Sequence, residues 1–501
     1  MNVAFRVDAD PQIGTGHFTR CLALADRVRE SGATIRFVSR RLFPHLRAVL
    51  AARGYVFTSI DGEAASQPPG DLAHAAWLGT SQQADAAATT RALAGEACDW
   101  LIVDHYALDA RWESAMRPST GRILTIDDLA DRPHDCDVLL DQNIDAAERY
   151  DGKVPPQCER LLGPRYALLR EEFRAAHLTA APRGGPVARA LVSYGGADTA
   201  NWTGVAVDAL ASSRLRVPHV DVVIGDQHPR RSEIEASCRT QGFHCHVQPL
   251  GLAAMMAASD LAIGAGGVTM WERCSVGLPA VAFAAAENQR ESLRHAAVAG
   301  LVYALPDSPV TAATLGAHVA TVAESPWLRG MLSRNGMKAV DGGGTARVAR
   351  AMGLDGFCFR EATAADAAAL LEWRNHESVR MQARRQEPVT AAEHHRWLQA
   401  VLSDANRVLL IGERNHQPAA VIRFDITGTQ AEVSAYRVPG TEGPGVGTRA
   451  IRAAADWLRS RRPDITAIRA EVLGDNDASH HMLRTSGYDL VTATYEKRLR
   501  P

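Results

Sequence analysis

Short apolar runs alternate with amphipathic stretches through the first third of the chain. Residues 3–7, 34–39, 100–104, 123–127 and 138–141 are compact and apolar, and segments between them, such as 19–31, are helix-like. This alternation predicts βαβ units around a parallel sheet. The stretch TAAPRGGP at 179–186 breaks it and reads as a linker. The pattern then restarts, with strands expected at 189–193, 220–224, 260–264 and 280–283 and a glycine-rich turn after the first and third of these. A crevice between two such halves commonly takes a nucleotide. From Phe357 onward the texture changes. Helix-like EATAADAAALLEWRN and TAAEHHRWLQAVL precede strands at 408–413, 419–425 and 432–437. A glycine-rich turn, a helix at 448–460, a strand at 467–472, a short helix and a final strand follow. The expected domains are 1–180, 187–350 and an α+β domain at 356–501.

Composition narrows the class. The 501 residues are 46% hydrophobic and 22% charged, as in ordinary globular proteins, and the net charge is −2. Such a balance gives no strong basic field for nucleic acid or a membrane surface. Eight cysteines are scattered without C-x-x-C spacing, which argues against a zinc knuckle or a redox pair. MNVAFRVDAD reads as a strand rather than a signal peptide, and no apolar run reaches about 18 residues. A cytoplasmic protein with reduced thiols is expected.

The first strand runs into Asp10-Pro-Gln-Ile-Gly-Thr-Gly-His17. Gly14 and Gly16 let the backbone approach a ligand. His17 enters a helix expected to begin near Thr19, where the helix N-terminus disfavours imidazolium. A neutral imidazole at the C-terminal end of a strand suits a general base, and a capping or packing histidine suits the position too. In the second half, Ser193-Tyr-Gly195-Gly196-Ala-Asp198 and Gly264-Ala-Gly266-Gly267-Val-Thr-Met-Trp-Glu272 each carry a strand into glycines and then a helix. Their backbone amides can face an anion, and two such turns suit a diphosphate. Glu272 is placed to accept ribose hydroxyls. Tight-turn glycines explain either loop alone equally well. Asp8, Asp104 and His105 are polar groups at strand ends that turn formation would also explain.

Six ordered blocks make the reading specific: IGTGHFTRCLALA, LIVDHYALDARWE, IDDLADRPHDCDVLLDQN, LLGPRYALLREEFR, SYGGADTANWT and GAGGVTMWERCSVGLPAVAFAAAENQ. Over about 1–350 the chain resembles the UDP-2,4-diacetamido-2,4,6-trideoxy-β-L-altropyranose hydrolase family of pseudaminic acid biosynthesis. The resemblance implies a GT-B-like pair of Rossmann-type halves of the MurG kind, with water as acceptor. It implies that His17 activates water at the anomeric carbon, and that UDP leaves with inversion and without metal. It places Glu272 at the ribose, Gly14, Gly16, Gly195, Gly196, Gly266 and Gly267 around the UDP-sugar, and Asn288 and Gln289 near sugar or phosphate.

In the third domain, the turn Glu442-Gly-Pro-Gly445-Val446-Gly447-Thr448 after a strand resembles the acyl-CoA loop of GNAT N-acyltransferases. The amides of Gly445, Val446, Gly447 and Thr448 can cradle a pyrophosphate. Glu442 stands where that loop usually has Arg or Gln, and Pro444 removes an amide donor. Asn476, within V…N-x-x-S…G-[F/Y], implies substrate or acetyl-CoA binding, and Leu483 replaces the tyrosine often found seven residues later. Glu432 and Glu471 are the candidate bases, with a water relay as the alternative. Trp373-Arg-Asn375 and His395-Arg-Trp397 resemble the substrate-side helices of the enzyme that acetylates N4 of UDP-4-amino-4,6-dideoxy-L-AltNAc; helix core explains the tryptophans equally well.

The two resemblances imply consecutive steps on one UDP-linked deoxyamino sugar, acetylation from acetyl-CoA and then removal of UDP. The rivals are a UDP-sugar glycosyltransferase with an accessory acyltransferase, and a non-catalytic UDP-sugar-binding regulator.

Overall fold

The computed structural model describes residues 1–60, 70–93, 98–144, 148–196, 198–213, 215–306, 309–354, 357–383, 385–414, 417–441, 445–472 and 476–491. It falls into two compact units, one holding Met1–Arg27 and Ala33–Ala351, the other Val28–Gly32 and Met352–Pro501.

The first unit contains two parallel sheets. One is built from β1 (Asn2–Val7), β2 (Thr34–Ser39), β3 (Val56–Ser59), β4 (Cys98–Asp104), β5 (Thr120–Ile126), β6 (Val138–Asp141) and β7 (Glu159–Leu162), in the order β3-β2-β1-β4-β5-β6-β7. The other comprises β8 (Arg189–Ser193), β9 (His219–Ile224), β10 (His244–Val247), β11 (Leu261–Ala265), β12 (Ala280–Phe283) and β13 (Tyr303–Ala304), in the order β10-β9-β8-β11-β12-β13. Both are doubly wound, and each reverses its strand order once: between β1 and β4, and between β8 and β11. Loops at the C-terminal ends of strands diverge at such a point and leave a crevice. Central strands such as β6, β11 and β12 are buried at every position, as a sheet covered on both faces requires. The strands absent from the sequence expectation, β3, β7, β10 and β13, are short and carry polar residues, and β3, β7, β10 and β13 form the sheet edges.

The second unit is a five-stranded sheet of β14 (Cys358–Glu361), β15 (Arg407–Arg414), β16 (Gln417–Thr427), β17 (Gln430–Arg437) and β18 (Ala467–Ala470), in chain order. The first four strands are antiparallel neighbours, and β18 joins β17 in parallel. One face packs on the helix Val446–Arg461 through Ala431, Val433, Ile451 and Leu458. The other takes Leu370 and Leu398, with Trp373 and Trp397 packed at its edge. The expected final strand lies outside the described residues.

Ionisable groups buried at the ends of β5 and β6 make stability depend on pH. Asp141 is pushed up to about 7 by burial and by the neighbouring charges of Asp128 and Asp127. Burial opposes charge on His134, but Glu113, 2.9 Å from Nδ1, and Asp127 outweigh it and raise its pKa to about 9. Asp141 holds its proton more tightly folded than unfolded, so its contribution is complete at low pH and is lost as pH rises from about 4 to about 7. The His134 contribution is complete below about pH 6.5 and is lost as pH rises through about 9. Chemical denaturation across pH 4 to 10 should therefore show two declines. Asp141→Asn is expected to remove the first and His134→Gln the second; unchanged profiles would refute the assignment.

Candidate functional site

His17 is placed by its own loop. The Asp10 carboxylate accepts the amides of Gln12 and Ile13, each at 2.8 Å, and Gly14 turns the chain at a φ of +80°. The helix then starts at Gly16, three residues earlier than the apolar pattern suggests, because the Thr15 carbonyl already accepts from the Thr19 amide. His17 thus lies in the first helical turn. The next residue, Phe18, is buried against Phe37, with ring centroids 5.7 Å apart, and anchors that turn to the sheet.

The end of β4 meets this turn across the switch point. His17 Nδ1 lies 2.5 Å from Asp104 Oδ1. Arg20, on the same helix, donates Nε and Nη2 to the two Asp104 oxygens at 2.6 and 2.7 Å. Burial opposes ionisation of Asp104, but Arg20 and His17 outweigh it and hold its pKa far below the carboxylate range. An ionised Asp104 only accepts, so the neutral tautomer that fits this contact carries its proton on Nδ1 and presents Nε2 as the acceptor. Arg20 Nη2 also lies 3.3 Å from Nδ1. Both atoms are donors in that tautomer, so this is a close approach, and the shorter contact to Asp104 sets the ring. Tyr106 packs edge-on against His17 with centroids 4.6 Å apart and donates to Asp128, which also receives Arg20 Nη1 at 2.7 Å. His74 and Trp77 extend this aromatic wall onto Tyr106. The sequence reading left Asp104 beside Asp8 and His105; the structure separates them. Asp8 pairs with Arg6 at 2.7 Å and His105 at 3.3 Å, and it pins the Arg40 amide at 2.8 Å, which is a structural role. Arg20 lies in the block IGTGHFTRCLALA and Tyr106 in LIVDHYALDARWE, but nothing in their spacing distinguishes them.

The two glycine turns of the second sheet flank its own switch point, after β8 and β11. They face the His17 turn. A β-carbon on Gly16 would come within 3.5 Å of Val268 Cγ2, and one on Gly196 within 3.3 Å of Thr15 Oγ1. Gly195 has a φ of +92°, a conformation that side chains disfavour. Gly266 packs on Leu293, and Gly267 faces the Gln289 amide, whose Oε1 accepts from the Ala285 amide at 3.1 Å. Asn288 shares that short turn and is half-buried. Just beyond it, Ser292 donates to Asn143 of the first half at 2.6 Å. The helix after the second turn, Thr269–Ser275, has only seven residues, so the turn amides matter more than a helix field. Glu272 is buried in it, its pKa raised by desolvation. Arg170 approaches Oε1 at 3.3 Å, while Oε2 has no hydrogen-bond partner among the described residues.

In the second unit, β17 and β18 pair from Gln430–Ala467 to Val433–Ala470 among the described residues, short of residues 434–437 at the end of β17. Gly445, at a φ of +69°, starts the helix Val446–Arg461; Val446 is buried in the core, and Gly447 lets the Met482 sulfur approach. Thr448 follows in the first turn. Glu432 is exposed within the paired region, opposite Asp425, and Glu471 is exposed one residue past β18. Asn476 caps the helix Asp477–Thr485 by accepting the Ser479 amide at 3.0 Å, and Leu483 belongs to the core. Glu442 and Pro444 lie outside the described residues.

Residues 357–489 match the family described as the acetyltransferase (GNAT) domain. A stretch of 175 residues is 31% identical to the UDP-2,4-diacetamido-2,4,6-trideoxy-beta-L-altropyranose hydrolase of Campylobacter jejuni; it covers 34% of this chain and 53% of the relative, so the chain spans about half of that protein's length. Among solved structures, MurG of Acinetobacter baumannii aligns with 70% of this chain and 99% of its own, at 15% identity and a TM-score of 0.48. The aminoglycoside acetyltransferase AAC(6')-Ib with coenzyme A aligns with 26% of this chain and 84% of its own, at 20% identity and a TM-score of 0.25. The chain is an α/β protein with two doubly wound parallel-sheet halves, followed by a segment, 357–489, that matches the GNAT family model. Its first part is similar to a UDP-sugar hydrolase. No helix among the described residues is long and apolar enough to cross a membrane.

Proposed function

We propose that this chain is a bifunctional nucleotide-sugar enzyme. It transfers acetyl from acetyl-CoA to N4 of UDP-4-amino-4,6-dideoxy-L-AltNAc, then hydrolyses UDP-2,4-diacetamido-2,4,6-trideoxy-β-L-altropyranose to free sugar and UDP. The observation that carries the hydrolase half is the Asp104–His17 pair at one switch point, its turn set against the glycine turns of the other. Nε2 of His17 takes a proton from water, the water oxygen bonds to the anomeric carbon from the face opposite UDP, and the C–O bond to UDP breaks. Nucleoside diphosphate is a stable leaving group, so the reaction can dispense with a carboxylic acid partner. The amides around Gly195, Gly196, Gly266 and Gly267 meet the charge that develops on phosphate. The second Glu272 oxygen suits a ribose hydroxyl, and Asn288 and Gln289 border the sugar or phosphate.

In the GNAT domain, Gly445, Val446, Gly447 and Thr448 hold the acetyl-CoA pyrophosphate at the start of a 16-residue helix. The unprotonated sugar amine attacks the thioester carbonyl, its proton passes to Glu432, Glu471 or a water relay, and CoA thiolate leaves. Incubation of UDP-4-amino-4,6-dideoxy-L-AltNAc with and without acetyl-CoA, followed by mass analysis, tests both halves. A 42-Da gain for one acetyl group, followed by UDP release without any added acceptor sugar, is the expected result. Release of UDP only after an acceptor is added would make the first unit a glycosyltransferase.

A further inference from the structure

The structure places a buried cation under the two glycine turns. Arg273 follows Glu272, and its side chain is fully buried. Nη2 donates to the Ala265 carbonyl at 2.6 Å. Nη1 lies 2.5 Å from where a β-carbon on Gly264 would sit, and the Ser193 carbonyl oxygen lies 2.3 Å from the same point. The guanidinium thus lies beside the ends of β8 and β11, where a β-carbon on residue 264 would clash with the Ser193 carbonyl and meet the guanidinium as well. Among the described residues, Nε and Nη1 have no hydrogen-bond partner, and the hydroxyl of Tyr194, in the first glycine turn, has none either. Its electrostatic neighbours are Cys274, Glu272 and Tyr194, with Glu272 already engaged by Arg170.

A guanidinium keeps its proton in any protein environment, so burial cannot be relieved by neutralisation. A buried charge with unfilled donors destabilises the fold unless something compensates it. A packing role does not call for a cation here, since an unbranched apolar side chain fills the same space without that cost.

We propose that Arg273 is the counter-charge for the diphosphate of the bound nucleotide, acting through the 193–196 and 264–267 turns. The inference rests on the reading that these turns hold UDP. In the free protein the Arg273 cation is only partly compensated, with two donors unfilled among the described residues, and the diphosphate supplies the missing counter-charge. The cation's effect grows as the C–O bond to UDP breaks and negative charge collects on the departing phosphate.

The test compares UDP with uridine, which shares the base and ribose but lacks phosphate, by calorimetry on the full chain. Arg273→Met is expected to weaken UDP about ten- to a hundredfold while uridine affinity stays within about twofold. The ligand-free melting temperature should be unchanged or higher, and the rise in melting temperature on adding UDP smaller. Arg273→Lys, which keeps the charge, should fall between wild type and Arg273→Met in UDP affinity. Equal losses for UDP and uridine, a lower ligand-free melting temperature, or failure of both variants to fold would make Arg273 a packing residue and overturn the proposal. Unchanged UDP affinity in Arg273→Met would overturn it while leaving the nucleotide site intact. If the wild-type protein binds neither UDP nor uridine, the nucleotide reading itself is wrong.

Discussion

His17→Ala will lower UDP-sugar hydrolysis by roughly three orders of magnitude or more, while UDP affinity changes by less than about threefold. The ring lies in the first-sheet crevice, held by Asp104 at 2.5 Å and by the edge of Tyr106, and the groups assigned to UDP belong to the opposite half. Removing the imidazole takes away the proton acceptor and leaves the glycine turns in place. Asp104→Asn gives the sharper diagnosis. Arg20 presents two donors to residue 104, so the amide oxygen of an asparagine turns toward Arg20 and its NH2 toward His17. That NH2 donates to Nδ1, drives the proton to Nε2 and blocks the base. A loss of about a hundred- to ten-thousandfold in kcat with little change in KM is expected. Steady-state kinetics with a coupled UDP assay, alongside calorimetric titration of UDP, reads both variants. If UDP affinity collapses together with rate in His17→Ala, the histidine is a structural support for the cleft and the base lies elsewhere.

Gly445→Glu will abolish acetyl transfer while leaving hydrolysis of the already diacetylated substrate within about twofold of wild type. Two physical effects act together. Residue 445 has a φ of +69°, where a side chain adds strain of order 1–3 kcal/mol, so the first helical turn moves. The glutamate also sets a negative charge beside the unpaired amides at the start of the helix Val446–Arg461, where a pyrophosphate would bind. A fall of at least about a hundredfold in kcat/KM for acetyl-CoA is expected, from the sum of lost anion contacts and repulsion. Gly445→Ala carries the strain without the charge and should lose less. The first unit keeps its own cores around both parallel sheets, and residue 445 belongs to neither. Comparable loss of hydrolysis in Gly445→Glu would show that the two activities depend on one another.

Much of this organisation was written in the apolar pattern. Expected strands at 34–39, 138–141, 189–193 and 280–283 coincide with β2, β6, β8 and β12, because a strand covered on both faces buries apolar side chains at most of its positions, with polar residues confined mainly to its ends. Edge strands escaped because a strand with one open side has no such demand: β10 reads His-Cys-His-Val. The glycine turns were legible for a different reason, since a tight approach between chain segments admits few residues. The pattern did not say why each glycine is there. Gly264 makes room for the Ser193 carbonyl and a guanidinium, Gly447 for a methionine sulfur, and Gly195 supplies a positive φ.

The sequence by itself determined the strand–helix alternation, the glycine turns and a histidine at the end of the first strand, because each is a local requirement of backbone or solvent. Only the tertiary structure chose Asp104 over Asp8 and His105, residues that look alike in the chain. Strand order made that choice: β4 lies beside β1, so the carboxylate that ends β4 crosses the switch point to the helix after β1. In the second sheet the pairing of β8 with β11 likewise gathers Arg273 beneath turns that are separated by about seventy residues, a juxtaposition with no trace in local composition.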